Sequence, residues 1–385
     1  MSLSYRELKR RYDVDGARST VSHLSEALGT RQLSPTDFSL RDLAEALIPD
    51  GSSWVRGLDP RQNGGVALLE AGSGVDVTAF LNITGQVIQR QILDSYEHES
   101  FALAKLVRTI PTRLDGERLP GITPITGQLD PIGPGMPYPS LGFGEDYIDT
   151  PVTTKRGLIV PVTREAIFFD RTHLVLSRAS EVGEVLGLNK EQRLADVILG
   201  LTQSYKWRGT NFETYAESNN DWLNLATNPL VDWTSVDTAE GLFGNMLDPA
   251  TGQPILIRAD QVLVMPALRH TAQRVFRAAT IEYSSGSTST TAVNPLSNYR
   301  VHSSAVAYRR LIASGVTESV AKATWLLGDF ARAFAYMENW PITVTQSTAN
   351  SEADFTQDIV VRFKASERGA AAVLNPRYVV KCLPE

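Results

Sequence analysis

The sequence predicts an α+β protein, and three observations carry that class. Leu158, Val160 and Val162 recur with strand periodicity, whereas from Asp170 onward Leu174, Val175, Ala179, Val182, Val185 and Leu186 recur with helical periodicity. Residues 255–257 and 262–265 are apolar runs of strand length around a turn-forming segment, and Pro266 then opens a helix carrying Leu268, Ala272, Val275 and Phe276. The chain from residue 325 onward is rich in strand-forming runs, with Ile359, Val361 and Phe363 on one face and Arg362 and Lys364 on the other.

Helices dominate the first third. Val21, Leu24 and Leu28 mark an amphipathic helix closed by Gly29. Ser39, with Asp42 three residues on, forms an acidic variant of the capping box for residues 40–48, and Pro49 ends that helix. Residues 50–74 are Gly-rich and aperiodic, which predicts an extended connector. Val77, Phe80, Leu81, Thr84, Ile88 and Ile92 then form a helical stripe with Asp76 as the expected N-cap. A shorter helical piece follows over residues 101–107.

Residues 113–144 alternate prolines and glycines, a composition that sustains neither a helix nor a central strand. A loop this long is uncommon inside a compact domain and is usually functional or ordered by a partner, here another copy of the chain. Residues 145–201 organise everything around them. The spacing predicts a β-hairpin with strands over 147–154 and 158–163, turning at Lys155, Arg156 and Gly157, where Gly157 supplies a positive φ. Asp170 is the expected N-cap of the long helix, Gly187 an interruption, and Asn189 the cap of a continuation to Gly200. Beyond it lie an aromatic-rich polar stretch and a Ser/Gly/Thr segment over 284–291 that predicts a flexible exposed loop. Strands are expected over 323–327, 330–337, 342–345, 358–364 and 378–381.

The totals limit the function classes. A chain of 385 residues buries a large core, and its net charge of −6 argues against a general nucleic-acid binder, whose footprint is basic. No apolar run reaches the length of a membrane span. Cys382, the single cysteine, excludes an internal disulfide framework and, beside Tyr378, Val379 and Val380, reads as a buried inert thiol. The five histidines are scattered without metal-ligand spacing. No phosphate-binding loop or nucleophile elbow occurs, and neither Glu145 with Asp146 nor Glu165 with Asp170 has a neighbour that would raise a carboxyl pKa for acid–base work. No enzyme, cofactor or metal site is expected.

Several stretches in order resemble the major capsid protein of tailed bacteriophages, the Hong Kong 97 type fold shared with encapsulins. Gly135-Met136-Pro137-Tyr138-Pro139 and Lys155-Arg156-Gly157-Leu158-Ile159-Val160-Pro161-Val162-Thr163-Arg164-Glu165 resemble that fold's extended loop and return strand. Phe169-Asp170 is similar to the start of its spine helix, and Ala259-Asp260-Gln261-Val262-Leu263-Val264-Met265-Pro266 to the strand-to-helix passage of its axial domain. Asn294-Pro295-Leu296 with Tyr299-Arg300-Val301-His302-Ser303-Ser304 resembles that domain's later loop and strand. Trp325-Leu326-Leu327-Gly328-Asp329 and Asp358-Ile359-Val360-Val361-Arg362-Phe363-Lys364 resemble the closing strands of the peripheral domain.

The resemblance implies an N-terminal arm with short helices over residues 1–73 and peripheral-domain helices over 74–112. It implies an extended loop over 113–163, the spine helix over 164–201, an axial domain over 202–324 and closing peripheral strands over 325–385. The loop would lie across a neighbouring copy, with Tyr138, Tyr147, Lys155, Arg156 and Gly157 as inter-subunit contacts, while Asp170, Leu174, Val182 and Leu186 belong to the spine. It implies self-assembly into pentamers and hexamers, an icosahedral shell in the virion, and sequence-independent contact with packaged double-stranded DNA. It also implies portal, scaffold and decoration proteins as further partners, assembly in the host cytoplasm, and no membrane. Some relatives join lysine to asparagine covalently; Lys155, with Asn339 or Asn375, is the candidate pair, although no motif supports it. Two other readings stand beside this one: an encapsulin-like nanocompartment, and a cytosolic enzyme whose long loop is an active-site lid.

Overall fold

The computed structural model describes residues 5–48, 50–58, 74–121, 146–202, 205–217, 222–248, 252, 254–285, 288–347 and 359–384. The chain divides into two compact units. One comprises Met1–His98, Lys155–Leu188 and Trp340–Arg368, the other Glu99–Thr154, Asn189–Asn339 and Gly369–Glu385. Each has its own apolar core, and the mixture of helix and sheet is the expected α+β class.

In the first unit, helices Tyr5–Asp15, Ala17–Gly29, Leu40–Leu47 and Gly51–Gly57 precede the longer Gly74–Tyr96. Leu8, Leu28, Leu43 and Trp54 share a core with Phe80, Ile88, Val160, Ile167, Ala179 and Phe363. The N-terminal caps follow the sequence chemistry. The Ser34 hydroxyl accepts from Thr36 N–H while Asp37 accepts from Ser34 N–H at 2.9 Å, and Ser39 accepts from Asp42 N–H at 3.1 Å. Of the extended connector expected over residues 50–74, Gly51–Gly57 form a helix instead, and 59–73 lie outside the described residues. That helix begins after Asp50 at φ 51°, and Gly51 sits where a Cβ would lie 2.5 Å from the Ala44 carbonyl oxygen. The next helix starts at Gly74, two residues ahead of the expected cap Asp76.

The predicted hairpin is not formed. Residues Thr154–Thr163 are one continuous strand at the edge of a four-stranded sheet, in the order Arg108–Pro111, Phe334–Gln346, Ile359–Val373, Thr154–Thr163. Gly157 lies within this strand and is absent from the positive-φ glycines. Its role is close approach: a Cβ there would lie 2.6 Å from the Ala365 carbonyl oxygen and 2.9 Å from Ser366 Cβ. Pro341 falls in Phe334–Gln346 beyond the span, Ala335–Glu338, that pairs with Arg108–Pro111, so on that side no ladder donor is lost.

The long helix runs without interruption over Thr172–Ile198, so neither the break at Gly187 nor a new cap at Asn189 exists. Gly200 closes it at φ 69°, with Gly200 N–H bonded to Val197 O and Leu201 N–H to Asp196 O. Asp170 is not its N-cap. Arg171 occupies that position by its carbonyl bonds to Leu174 and Val175 N–H, and Asp170 precedes it in the left-handed region at φ 48°.

The second unit is built on a five-stranded sheet in the order Arg300–Ser303, Gln261–Val264, Trp325–Gly328, Val379–Leu383, Leu225–Thr227. Its central register sets Trp325 opposite Val264 on one side and Cys382 on the other. Val262, Leu263, Val264, Trp325, Leu326 and Leu327 are fully buried, with helices Trp233–Phe243, Arg269–Arg277, Ala305–Ala313 and Glu318–Ala323 contributing Val236, Phe276, Leu311 and Ala321 to the same core. A smaller sheet, Arg118–Pro120, Tyr147–Asp149, Tyr205–Trp207, Thr210–Phe212, carries an aromatic cluster in which Tyr205 and Phe212 each meet Trp222 edge-on. Arg377 is fully buried, its guanidinium 4.7 Å from the Trp222 ring centroid and 5.7 Å from that of Trp207.

Two expectations fail in this unit. Residues 255–257 form no buried strand; Leu256 is 88% exposed. Of the flexible loop expected over 284–291, residues 284–285 and 288–291 belong instead to a two-stranded antiparallel ribbon, Thr280–Ser285 with Thr288–Val293, and 286–287 lie outside the described residues. The tail strands also merge and lengthen: a short helix Phe330–Ala333 precedes Phe334–Gln346, and Ile359–Val373 runs well past residue 364.

Candidate assembly surface

Strand Thr154–Thr163 presents Leu158 and Ile159 to solvent, 39% and 54% exposed, while Val160 and Val162 are buried. A long, apolar edge strand offers its unpaired backbone to a partner chain. On the same unit, Lys155 Nζ lies 5.7 Å and the Arg368 guanidinium 5.5 Å from the ring centroid of half-buried Trp340. The negative ring face offsets the mutual repulsion of the two cations. Beside them, buried Glu367 accepts a short hydrogen bond from the Tyr96 hydroxyl.

The connection from strand to long helix is stitched by side chains. Thr163 caps the short helix Arg164–Phe168 by accepting from Ala166 N–H at 3.3 Å. The Asp170 carboxylate accepts from the Thr172 hydroxyl at 2.7 Å and the Ser39 hydroxyl at 3.0 Å, and Thr172 Oγ1 accepts from Leu40 N–H at 2.7 Å. Asp170 therefore ties the helix start to the N-terminal helices instead of capping it. Along the helix, Val175, Ala179 and Leu186 are buried and Val182 half-buried, while Leu174, Val185 and Leu188 stand out at 37%, 54% and 39% exposure. Leu174 and Val185, counted from the sequence in one periodic set with the buried residues, lie on an outward stripe.

In the second unit Tyr147 packs under the Arg118 guanidinium, 4.5 Å from its ring centroid, and Arg118 pairs with Asp149 at 3.2 Å. Buried Asp146 accepts from Trp207 Nε1 and from Arg208 Nε. Glu191, fully buried, accepts from the N–H groups of Leu103 at 2.7 Å and Ala104 at 3.0 Å, at the start of helix Leu103–Leu106. Burial raises its pKa and the N–H groups pull it back. The Lys381 ammonium donates to Leu199 O at 2.9 Å, and burial lowers its pKa to about 8. Burial pushes the Cys382 thiol up to about 12. Asn375, one of the two asparagines suggested for a covalent link, is buried and its side chain accepts from Arg377 N–H at 3.1 Å; Asn339 donates to Thr112 O at 3.3 Å.

Of the expected contact residues, Tyr138 lies outside the described residues, as does the whole 135–139 motif. Among the described residues no cluster of His, Cys, Asp and Glu could hold a metal ion, and no helix is long and apolar enough to cross a membrane. A family model for phage capsid proteins matches residues 147–382, from the small sheet through the long helix to the last strand. The chain belongs to the phage capsid protein family. This is a structural protein of the capsid, and its work is to form the shell.

Among solved structures this capsid protein is similar to a chain from Mycobacterium phage Bobi, at 14% identity over 74% of this chain and 90% of that one, with a TM-score of 0.42. It is similar to the capsid of a native GTA particle, at 12% identity over 74% and 91% of the two chains, with a TM-score of 0.41. It is also similar to a virus-like particle from Pyrococcus furiosus, at 12% identity over 76% and 96%, with a TM-score of 0.38. No curated protein matches the chain by sequence.

Proposed function

We propose that this capsid protein is the major subunit of an icosahedral shell of the Hong Kong 97 type, assembled as pentamers and hexamers around the double-stranded DNA of a tailed phage or prophage. The family match over residues 147–382 carries this reading. Residues 113–163 act as the extended loop, 164–201 as the spine, 202–324 as the axial domain and 325–385 as closing strands of the peripheral domain. Residues 1–73 and 74–112 supply the N-terminal helices.

Tyr138, Tyr147, Lys155 and Arg156 serve as contacts to the neighbouring copy. The exposed strand edge at Leu158 and Ile159, with Lys155 beside Trp340 and without a carboxylate partner among the described residues, supports this assignment. Gly157 acts by keeping that strand close to residues 365–366. Contact with DNA is sequence-independent and made through the inner face. Portal, scaffold and decoration proteins join in the host cytoplasm.

Electron microscopy of the purified chain tests the reading. Closed shells are expected; a discrete small oligomer that persists at high concentration overturns it. Shells loaded with protein cargo and lacking a portal would place the chain with the encapsulin-like compartments instead.

A further inference from the structure

The failure of residues 255–257 to form a buried strand leaves an unusual surface. Residues 255–260 lead without regular secondary structure into strand Gln261–Val264, with Leu256 and Arg258 exposed and Ile255, Ile257 and Ala259 half-buried. Ile255 N–H bonds to Met246 O, and Arg300 N–H to Asp260 O. Between them the backbone of residues 256–259 finds no hydrogen-bond partner among the described residues. The segment has the alternating exposure and open backbone of a β-edge that lacks its second strand, and it borders a groove of about 1210 Å³ lined also by Tyr299 and Arg332.

Charge within that groove is nearly balanced. Asp260 pairs with Arg300, and Asp329 with Arg332 at 3.4 Å. Arg258 is left exposed, with no partner among the described residues, and Glu240 stands on the helical wall.

The ribbon Thr280–Ser285/Thr288–Val293 has the complementary deficits. Among the described residues its strands pair only with each other, so each keeps one open edge there, and a two-stranded ribbon is marginal in water by itself. Its base is firm: buried Asn294 donates to Val275 O at 2.8 Å and Ala278 O at 3.0 Å and accepts from Leu296 N–H at 2.9 Å. Glu282 is the one charged residue between positions 280 and 293, exposed and without a partner among the described residues.

We propose that the ribbon of one copy adds its strand Thr280–Ser285 to the open edge 256–259 of the next copy, with Glu282 facing Arg258. Repeated head to tail, a contact between two different patches closes into a ring. The partner is thus a second copy of this chain, and the inference rests on the shell reading above.

Cysteine pairing in assembled particles tests it. Because Cys382 is buried with its thiol pushed up to about 12, introduced cysteines react alone. Arg258→Cys combined with Glu282→Cys, the facing pair, is expected to give, under mild oxidation, a ladder of chain multiples ending at a closed ring. Arg258→Cys combined with Val293→Cys, on the opposite strand and 81% exposed, is expected to give none. A link wholly within one chain, no link, or equal linking through Val293→Cys overturns the proposal.

Charge reversal gives a second readout. Arg258→Glu or Glu282→Arg alone should slow assembly up to about fivefold per contact, the range of an exposed ion pair, and the double reversal should restore it. Singles without effect, or a double that stays slow, overturn the pairing. A wild-type chain that makes no shell removes the shell reading and this contact together, whereas shells formed equally well by every variant remove the contact alone.

Discussion

Gly183 shows how a single absent methyl sets the distance between two helices. On Thr172–Ile198 it faces Gly74–Tyr96, where a Cβ would fall within the contact radius of the Ile92 carbonyl oxygen and 2.9 Å from Ser95 Cβ. The hydroxyls of Ser95 and Ser180, 2.7 Å apart, bind the same crossing. Alanine raises helix propensity by about 1 kcal/mol over glycine, but the overpacking cost of about 1–3 kcal/mol wins where the obstacle is backbone. Gly183→Ala should therefore lower the melting temperature of the chain, measured by circular dichroism. An unchanged or raised value would mean that the helices can separate without loss. Lys381 acts through burial instead. Its folded-state pKa of about 8 lies below the ordinary 10.5, so the unfolded chain keeps a proton between those values that the folded chain has released. Stability consequently carries the full burial penalty below pH 8, rises between pH 8 and 10.5, and is level above. The total is at most about 3 kcal/mol before solvent screening. Chemical denaturation at stepped pH should show this rise in the wild type relative to Lys381→Met; parallel curves would refute it.

At the scale of elements, what the sequence made legible was local chemistry. The serine cap at Ser39, the strand at 262–265 and the glycine closing the long helix each depend on residues within a turn of one another, and each formed. What stayed illegible depended on distant partners. Gly157 looked like a turn because glycine permits positive φ, yet it is needed because residues 365–366 pass within contact distance of it. Gly187 looked like a break, but a helix packed along its length tolerates the propensity cost of about 1 kcal/mol. Residues 255–257 had strand composition and no partner strand among the described residues, so burial did not follow. The ribbon at 280–293 carried only Ser, Thr and Gly at its tip, where neither period gives a signal. Of the candidate contact residues, Lys155 is exposed, and its seat beside Trp340 joins positions far apart in the chain and could not be seen in either segment alone.

For the whole molecule, the two cores permit assembly to be separated from folding. Gly157 belongs to the first unit, and Cys382 reports on the second, where its thiol is inaccessible and pushed up to about 12 by burial. In Gly157→Val a β-branched side chain meets the Ala365 carbonyl oxygen, and strand Thr154–Thr163 must pull away from Ile359–Val373. The exposed edge at Leu158 and Ile159 then loses its fixed path, and with it the geometry a neighbouring copy needs. The variant should yield no closed shells by electron microscopy while Cys382 stays unreactive toward a thiol reagent without denaturant. Prompt reaction of Cys382 would show that the substitution unfolds the second unit as well, contrary to two independent cores. Normal shells with Cys382 protected would show that the close approach at Gly157 serves no purpose in assembly, and would remove this strand from the contact surface.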